Sequence, residues 1–392
     1  MPARSPSFAD LLSSLDRERD RRVAHKLPSW EGVADLEIPT ALALEQCSSG
    51  ATAAYKAALV RDWCRAEAGP GLVTDLTCGL GADAWALSRV AGRVVAYEAD
   101  PVLAAAAARN MVRLGAANVE VRCGRVGPES EDIPACDLIY ADPARRGTGG
   151  KKVFLPEDCT PDLLPMLPML QERAPRLLFK LSPMVDLSML SVRLGASLRE
   201  ISVVSLGGEV KEVLCLLERA WCGEYSIRAV ELAPDGGVTG EFVFTRNAEM
   251  EAQPDHFSGP AASLVGQVLL EPSAVLLKAG AFKLPCGRWG LCKLAPSTHL
   301  YLSSVPALEA CTSLPAALFR TWRIREALPF GKAALKELSA RYPRCEVTAR
   351  NLPLSSDALR ARLGVRSGGD VHLFGCGTTA GPVLMVCELS DK

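Results

Sequence analysis

Residues 73–83 read Val73-Thr-Asp75-Leu-Thr-Cys78-Gly79-Leu-Gly81-Ala-Asp83. An apolar strand here breaks into a glycine turn and then opens a helix. Glycine lets backbone approach a ligand where a Cβ would collide. Outward from this turn, Arg93–Tyr97 is a second apolar run ending at Glu98, and Leu138–Ala141 is a third, closed by Asp142. The spacing predicts strands at Gly71–Leu76, Val94–Tyr97, Val119–Arg122, Asp137–Ala141, Arg176–Leu181, Ile201–Leu206 and Val213–Leu217. Between the first of these it predicts helices at Asp83–Ala91 and Pro101–Leu114. This rhythm gives an α/β, doubly wound, mostly parallel sheet that binds its ligand at the carboxyl ends of the strands.

The ligand follows from what the motif has and lacks. Glu98 stands nineteen residues after Gly79, about the 20-residue interval at which a second-strand acid meets ribose hydroxyls. The third glycine of the dinucleotide fingerprint is replaced by Ala84, and no phosphate-cradling lysine follows. A ligand with a ribose and a cationic amino-acid part but no phosphate fits, and that is S-adenosylmethionine. Asp75, at a strand end, can meet its amino group. Asp142-Pro143 points a carboxylate and a fixed carbonyl at the pocket mouth, where they can orient an acceptor for in-line attack on a methyl group. Arg145, Arg146, Lys151 and Lys152 follow on a glycine-containing loop suited to a polyanionic substrate. Lys180-Leu-Ser-Pro183 ends another strand on the same edge, where it either lines the substrate side or simply turns the chain.

Around this centre, Phe8–Lys26 and Leu42–Ala66 read as helices, with Ser48-Ser49 as cap candidates. The mixed charges of Asp16–Arg22 fit a solvated helix face. After Trp221 the rhythm changes. Tyr225–Leu232 and Glu241–Thr245 read as a hairpin, Asn247–Pro260 as a polar linker, and Leu269–Tyr301 as a short mixed unit. Strand Thr321–Glu326, helix Lys332–Arg341, strand Cys345–Ala349, helix Asp357–Leu363 and the hairpin Val371–Gly375/Val383–Leu389 close the chain as a small α+β module. Segment 320–366 carries nine arginines and two lysines against four acids, a net +7, so the rest of a chain of net charge −1 is near −8. A basic module beside an acidic domain is an electrostatic footprint of nucleic-acid binding.

Other classes find less support. No apolar run approaches 18 residues, and the N-terminus lacks an apolar signal core. Fourteen cysteines with no Cys-x-x-Cys pair suit a reducing cytoplasm better than zinc or disulfides. None of the four histidines neighbours another, so no metal site and no Ser-His-Asp triad is read.

Asp75–Asp83, Tyr97-Glu-Ala-Asp100 and Tyr140-Ala-Asp-Pro-Ala-Arg-Arg-Gly147 resemble class I S-adenosylmethionine-dependent methyltransferases, in particular a bacterial group with a C-terminal THUMP-like domain. Supporting stretches are Lys180–Met184, Gly208-Glu-Val-Lys-Glu212, Leu270–Ala274, Lys278–Phe282, Val347–Leu354 and Gly368–Phe374. The resemblance implies a Rossmann-like class I methyltransferase sheet with N-terminal helices and small C-terminal ferredoxin-like and THUMP-like modules. Its expected division is 1–68 helical, 69–222 methyltransferase, 223–318 hairpin, linker and ferredoxin-like module, and 319–392 THUMP-like. It implies cofactor contacts from Asp75, Cys78, Gly79, Gly81, Glu98 and Ala99, catalysis by Asp142 and Pro143, and substrate contacts from Arg145, Arg146 and Lys180. The implied reaction is methylation of a base in structured RNA, rRNA or tRNA. A small-molecule or protein acceptor, or an RNA-binding protein with a vestigial pocket, are the alternatives. Two departures stand out. Arg125 follows Gly124 where the family often has an acid for the adenine amine, leaving Asp132 or a backbone group. Ala144 and Arg145 replace the aromatic that usually follows Asp/Asn-Pro-Pro. Cys159 and Cys215 are the cysteines a carbon-5 mechanism would have to use.

Overall fold

The structure is a computed structural model that describes residues 8–64, 69–145, 159–304 and 313–390. The chain divides into two compact units, Met1–Ser226 with Leu232–Val238, and Ile227–Glu231 with Thr239–Lys392.

The first unit holds helices α1 (Phe8–Lys26), α2 (Ala41–Gln46), α3 (Gly50–Cys64), α4 (Ala82–Ser88), α5 (Pro101–Arg113), α6 (Leu163–Arg173) and α7 (Leu187–Leu194). Its main strands are β1 (Leu72–Asp75), β2 (Arg93–Glu98), β3 (Val119–Cys123), β4 (Leu138–Ala141), β7 (Arg176–Leu181), β8 (Leu198–Leu206) and β9 (Glu209–Glu218). A two-residue pair, β5 (Ala144–Arg145) with β6 (Cys159–Thr160), follows β4. The sheet order is β3-β2-β1-β4-β7-β9-β8. Its first five strands run parallel and β9 enters antiparallel between β7 and β8. The order reverses between β1 and β4, so this sheet has its switch point at the tips of Asp75 and Asp142. β1 and β4 are buried along nearly their whole length, as central strands covered on both faces must be.

The N-terminal helices cover the glycine-turn side. Val23, Leu27, Trp30 and Leu44 form one core with Leu80, Ala82, Met111 and Ala116. Fully buried Asn110 on α5 ties the segment after α1 down. It donates to the Glu37 carbonyl at 2.8 Å and accepts the Glu37 N–H at 2.9 Å. The expected single helical zone 42–66 is broken, because Cys47, Ser48 and Ser49 interrupt it between α2 and α3. Ser49 caps α3 by accepting the Thr52 N–H at 3.2 Å, whereas Ser48 turns inward. Helices α6 and α7, which the apolar spacing had not signalled, are both capped by aspartates, Asp162 and Asp186.

The second unit contains the hairpin strands β10 (Ser226–Leu232) and β11 (Val238–Thr245), then α8 (Arg246–Glu251), β12 (Val268–Pro272), α9 (Ala274–Ala279), α10 (Leu284–Trp289), β13 (Cys292–Ala295), β14 (Thr298–Ser303), β15 (Phe319–Pro329), α11 (Lys332–Arg341), β16 (Glu346–Arg350), α12 (Ser356–Leu363), β17 (His372–Thr378) and β18 (Gly381–Leu389). Seven of these strands form one sheet in the order β13-β14-β12-β15-β18-β17-β16. Its core joins Leu269, Leu300 and Leu302 to Trp322, Phe374 and Met385. The ferredoxin-like and THUMP-like segments thus share a sheet through β12 and β15. Residues 247–260 do not behave as a free linker. Glu249 on α8 accepts the N–H groups of Phe282, Lys283 and Leu284 at 2.7–3.0 Å, which fills the donors that the start of α10 would otherwise leave open. Trp322 is core, tilted against His372 and edge-on to Phe374.

Candidate active site

The sequence-derived residues Asp75, Cys78, Gly79, Gly81, Glu98 and Asp142 converge on one edge of the first sheet. The chain leaves β1 at Asp75, and the Leu76 N–H bonds to the Tyr140 carbonyl at 3.0 Å while the Cys78 N–H bonds to the Tyr97 carbonyl at 2.8 Å. These two bonds stretch the turn across the tips of β4 and β2. Gly79 and Gly81 sit at φ +56° and +93°, backbone that L side chains rarely adopt. A Cβ on Gly81 would lie 2.7 Å from the Met111 side chain. Cys78 is buried, and burial pushes its thiol well above the ordinary range, so it serves as packing.

Glu98 holds the turn from the next strand. One carboxylate oxygen accepts the Gly79 N–H at 2.8 Å and the other the Asp100 N–H at 2.9 Å. Each oxygen keeps a lone pair for a further donor, which suits a vicinal diol. Ala99 is exposed beside it. The Asp132 carbonyl accepts the Tyr97 hydroxyl at 2.8 Å.

Asp75 is the least satisfied group. It is fully buried; Oδ1 accepts the Thr77 N–H at 2.9 Å, and Oδ2 has no partner among the described residues. Burial, and then the nearby carboxylates of Asp83 and Asp142, push its pKa up to about 8. A buried carboxylate oxygen without a partner calls for a proton or a cation.

Across the edge, the Asp142 N–H is held by Thr77 Oγ1 at 2.6 Å. Asp142 Oδ2 is ion-paired to Lys180 at the end of β7. Burial opposes charge on Lys180, but the carboxylates of Asp142, Glu212 and Asp83 outweigh it and keep it an ammonium. Burial raises the Asp142 carboxyl against the pull of Lys180. Pro143 is buried and Ala144 exposed. Arg145 enters β5 opposite Cys159, while Arg146, Lys151 and Lys152 lie outside the described residues. Cys215 is fully buried in β9 with its thiol pushed up by burial, so it is core rather than nucleophile.

Beneath the tip is a cluster the motif reading had not assembled. Lys56 on α3, 1% exposed, reaches both Glu212 oxygens at 2.9 Å, Ser48 Oγ at 3.0 Å and Asp83 at 3.2 Å. Asp83 in turn accepts from Ser48 at 2.7 Å and from the Tyr140 hydroxyl at 2.8 Å. The signal was present in part, since Lys56 is a charge inside an otherwise apolar run.

A glycine turn, an acid closing the next strand and an acid-proline tip on one sheet edge describe a nucleoside-binding group-transfer enzyme, and comparison with known proteins sharpens this. The chain matches a crystallised protein from Porphyromonas gingivalis W83 assigned as a methyltransferase, with 31% identity, a TM-score of 0.82, and coverage of 99% of this chain and 93% of that one. Proteins from Mycobacterium tuberculosis strains CDC 1551 / Oshkosh and ATCC 25618 / H37Rv, named as uncharacterized S-adenosylmethionine-dependent methyltransferases, are each 28% identical over 81% of this chain and 82% of their own. Family models match a ferredoxin-like domain at residues 269–308 and a THUMP domain-like segment at 319–389. The chain belongs to the S-adenosylmethionine-dependent methyltransferases, and its α/β fold carries the expected ferredoxin-like and THUMP-like modules.

Proposed function

We propose that this methyltransferase modifies a base in structured RNA, rRNA or tRNA, with Asp142 as the group that meets the acceptor. The supporting observation is the Asp142–Lys180 pair at the sheet's switch point, on the same edge as Asp75 and Glu98. The cofactor, when bound, supplies an electrophilic methyl group. Asp75 meets its ammonium, Glu98 its ribose, and the turn at Gly79 and Gly81 admits it closely. Asp142 keeps one oxygen free of Lys180 and accepts a hydrogen bond from the acceptor N–H, turning the nitrogen lone pair toward the donor. Lys180 donates to an acceptor atom beside it. An ionised pair in a site shielded from water acts mainly by position and fixed charge. Arg145 and Arg146 are proposed to contact the substrate backbone.

The THUMP-like module supports an RNA acceptor. A backbone bridge brings Arg344 and Arg366 side by side. Both are exposed and neither forms an ion pair among the described residues, which suits phosphate contacts. Free thiols throughout the described cysteines suit the reducing cytoplasm where such RNA is found. Labelled donor with total RNA from a strain lacking this gene, followed by nucleoside mass spectrometry, tests the proposal. Label is expected in one nucleoside with wild-type protein and absent with Asp142→Ala. No label in RNA, with cofactor binding intact, would sink it.

A further inference from the structure

The cluster of Lys56, Glu212 and Asp83 is used by none of the roles above, yet it is among the most buried charge in the protein. Three carboxylates, Asp83, Asp142 and Glu212, gather around two ammonium groups, Lys56 and Lys180. The cluster joins α3, α4, β4, β7 and β9 directly under the Asp142 tip. Burying charge this way is costly and rarely the cheapest route to stability. Packed apolar residues at 56 and 212 would serve a purely structural purpose at least as well.

The sheet register shows what the charges face. Lys180 pairs with Leu214 across the antiparallel β7–β9 ladder. Glu212, two residues further along β9, therefore lies on the same sheet face as Lys180, as its diagonal neighbour. Lys180 is thus drawn by Asp142 on one side and by Glu212 and Asp83 on the other. Lys56 sits behind the latter two, within 3.2 Å of both, and offsets their pull. Removing Lys56 would free Glu212 and Asp83 to draw Lys180 off Asp142. Tyr140 adds a mechanical link. Its hydroxyl is fixed to Asp83 at 2.8 Å and its carbonyl to the turn at 3.0 Å, two residues before Asp142.

We infer that Lys56, Glu212 and Asp83 are positioning residues that set the place and the ionisation of the Lys180–Asp142 acceptor pair, making the N-terminal helix α3 a working part of the active site. This rests on the reading of Asp142 and Lys180 as the group that meets the acceptor. The charges that bear on Asp142 predict opposite signs. Lys180 and Lys56 favour its ionised form and Asp83 opposes it. Neutralising Lys56 therefore moves Asp142 ionisation to higher pH, and neutralising Asp83 moves it lower. A cluster that merely stabilised the fold would show no such sign reversal.

The test uses the full-length chain and has an arm independent of substrate. Competitive acetylation with acetic anhydride at pH 9, read by peptide mass spectrometry, reports how firmly Lys180 is held as an ammonium. Glu212→Gln is expected to raise Lys180 labelling at least about fivefold, with Lys336 changed less than twofold. If that variant folds poorly, Asp83→Asn, which removes the other carboxylate drawing on Lys180, must show a rise of the same sign. Unchanged Lys180 labelling in folded variants would overturn the inference. The second arm follows methyl transfer to total RNA from a strain lacking the gene. The acidic limb of the kcat/KM profile is expected to move up in pH for Lys56→Gln and down for Asp83→Asn, with calorimetric S-adenosylmethionine affinity at about pH 8.5, above the ionisation of Asp75, within threefold of wild type. Limbs that move together or not at all overturn it. If wild-type protein labels no RNA, the RNA reading fails, and the acetylation arm still decides this one.

Discussion

The unpartnered carboxylate of Asp75 makes cofactor binding a proton-release reaction. In the free protein this group ionises near pH 8, so at pH 7 about nine-tenths of the molecules carry a proton there. A bound ammonium favours the carboxylate, and the proton must leave. S-adenosylmethionine affinity should therefore rise about tenfold per pH unit between pH 6 and pH 8, each decade being about 1.4 kcal/mol. The rise should flatten near pH 8, because an α-amino group of ordinary pKa, about 7.7–8.0, then begins to lose its own proton. Titration calorimetry at pH 7 in two buffers of different ionisation enthalpy should show close to one proton released. The folding side has a definite sign. The native state keeps a proton that the unfolded chain gives up from about pH 3.8, so this group lowers stability as pH rises toward 8. Asp75→Asn removes the penalty. It should stabilise the cofactor-free protein more at pH 8 than at pH 5, by up to about 4 kcal/mol, while weakening cofactor binding at pH 8 at least tenfold and abolishing its pH dependence. A wild-type Kd that changes less than twofold from pH 6 to pH 8, with equal heats in both buffers, would refute the reasoning.

Gly81→Ala places a Cβ 2.7 Å from Met111 at φ +93°. Cofactor affinity should fall at least tenfold by calorimetry, whereas Gly115→Ala, at φ +69° in open space, should cost about 1 kcal/mol of strain and leave affinity alone. Asp142→Asn keeps the shape of the tip but not its charge, so kcat should drop at least about a hundredfold with cofactor Kd within threefold, measured by single-turnover transfer and calorimetry. Asn110→Ala strands the backbone groups of Glu37 and should cost about 2 kcal/mol, read as a lower urea midpoint. Arg344→Glu with Arg366→Glu should weaken RNA binding at least tenfold, and the log–log salt slope should fall by about 2, one per lost phosphate contact.

What could be read from the sequence was what depends on local pattern. The strands β1–β4 and β7–β9 and the boundaries of α1, β7 and α11 follow from apolar period and from Pro and Gly punctuation, signals carried by a few adjacent residues. The glycine turn and Glu98 are legible because a fixed spacing maps onto a fixed crossover length. The break between α2 and α3 was not, since Leu42–Ala66 keeps a helical composition throughout, and what interrupts it is the inward pull of Asp83 and Lys56 on Ser48. Helices α6 and α7 escaped notice although Asp162 and Asp186 cap them, because their apolar spacing is interrupted by Pro168 and by the exposed Met189 and Val192. The polar run 247–260 looked like linker because Glu249 reads as solvent-facing until the start of α10 is placed against it.

The ion cluster shows why spacing could not assemble the whole site. Lys56 and Glu212 stand 156 residues apart, on elements whose meeting depends on β9 being inserted between β7 and β8. Neither charge has a local reason to be where it is. Lys56 interrupts the buried face of an alanine-rich helix, and Glu212 precedes five buried strand residues. An unpaired charge at either place would cost several kcal/mol, so each implies a partner without naming it. The same logic applies to Asp75, whose Oδ2 has no partner among the described residues. The acid that the fold leaves unpaired marks where the ligand belongs, and the acids that it pairs mark what holds the acceptor group in place.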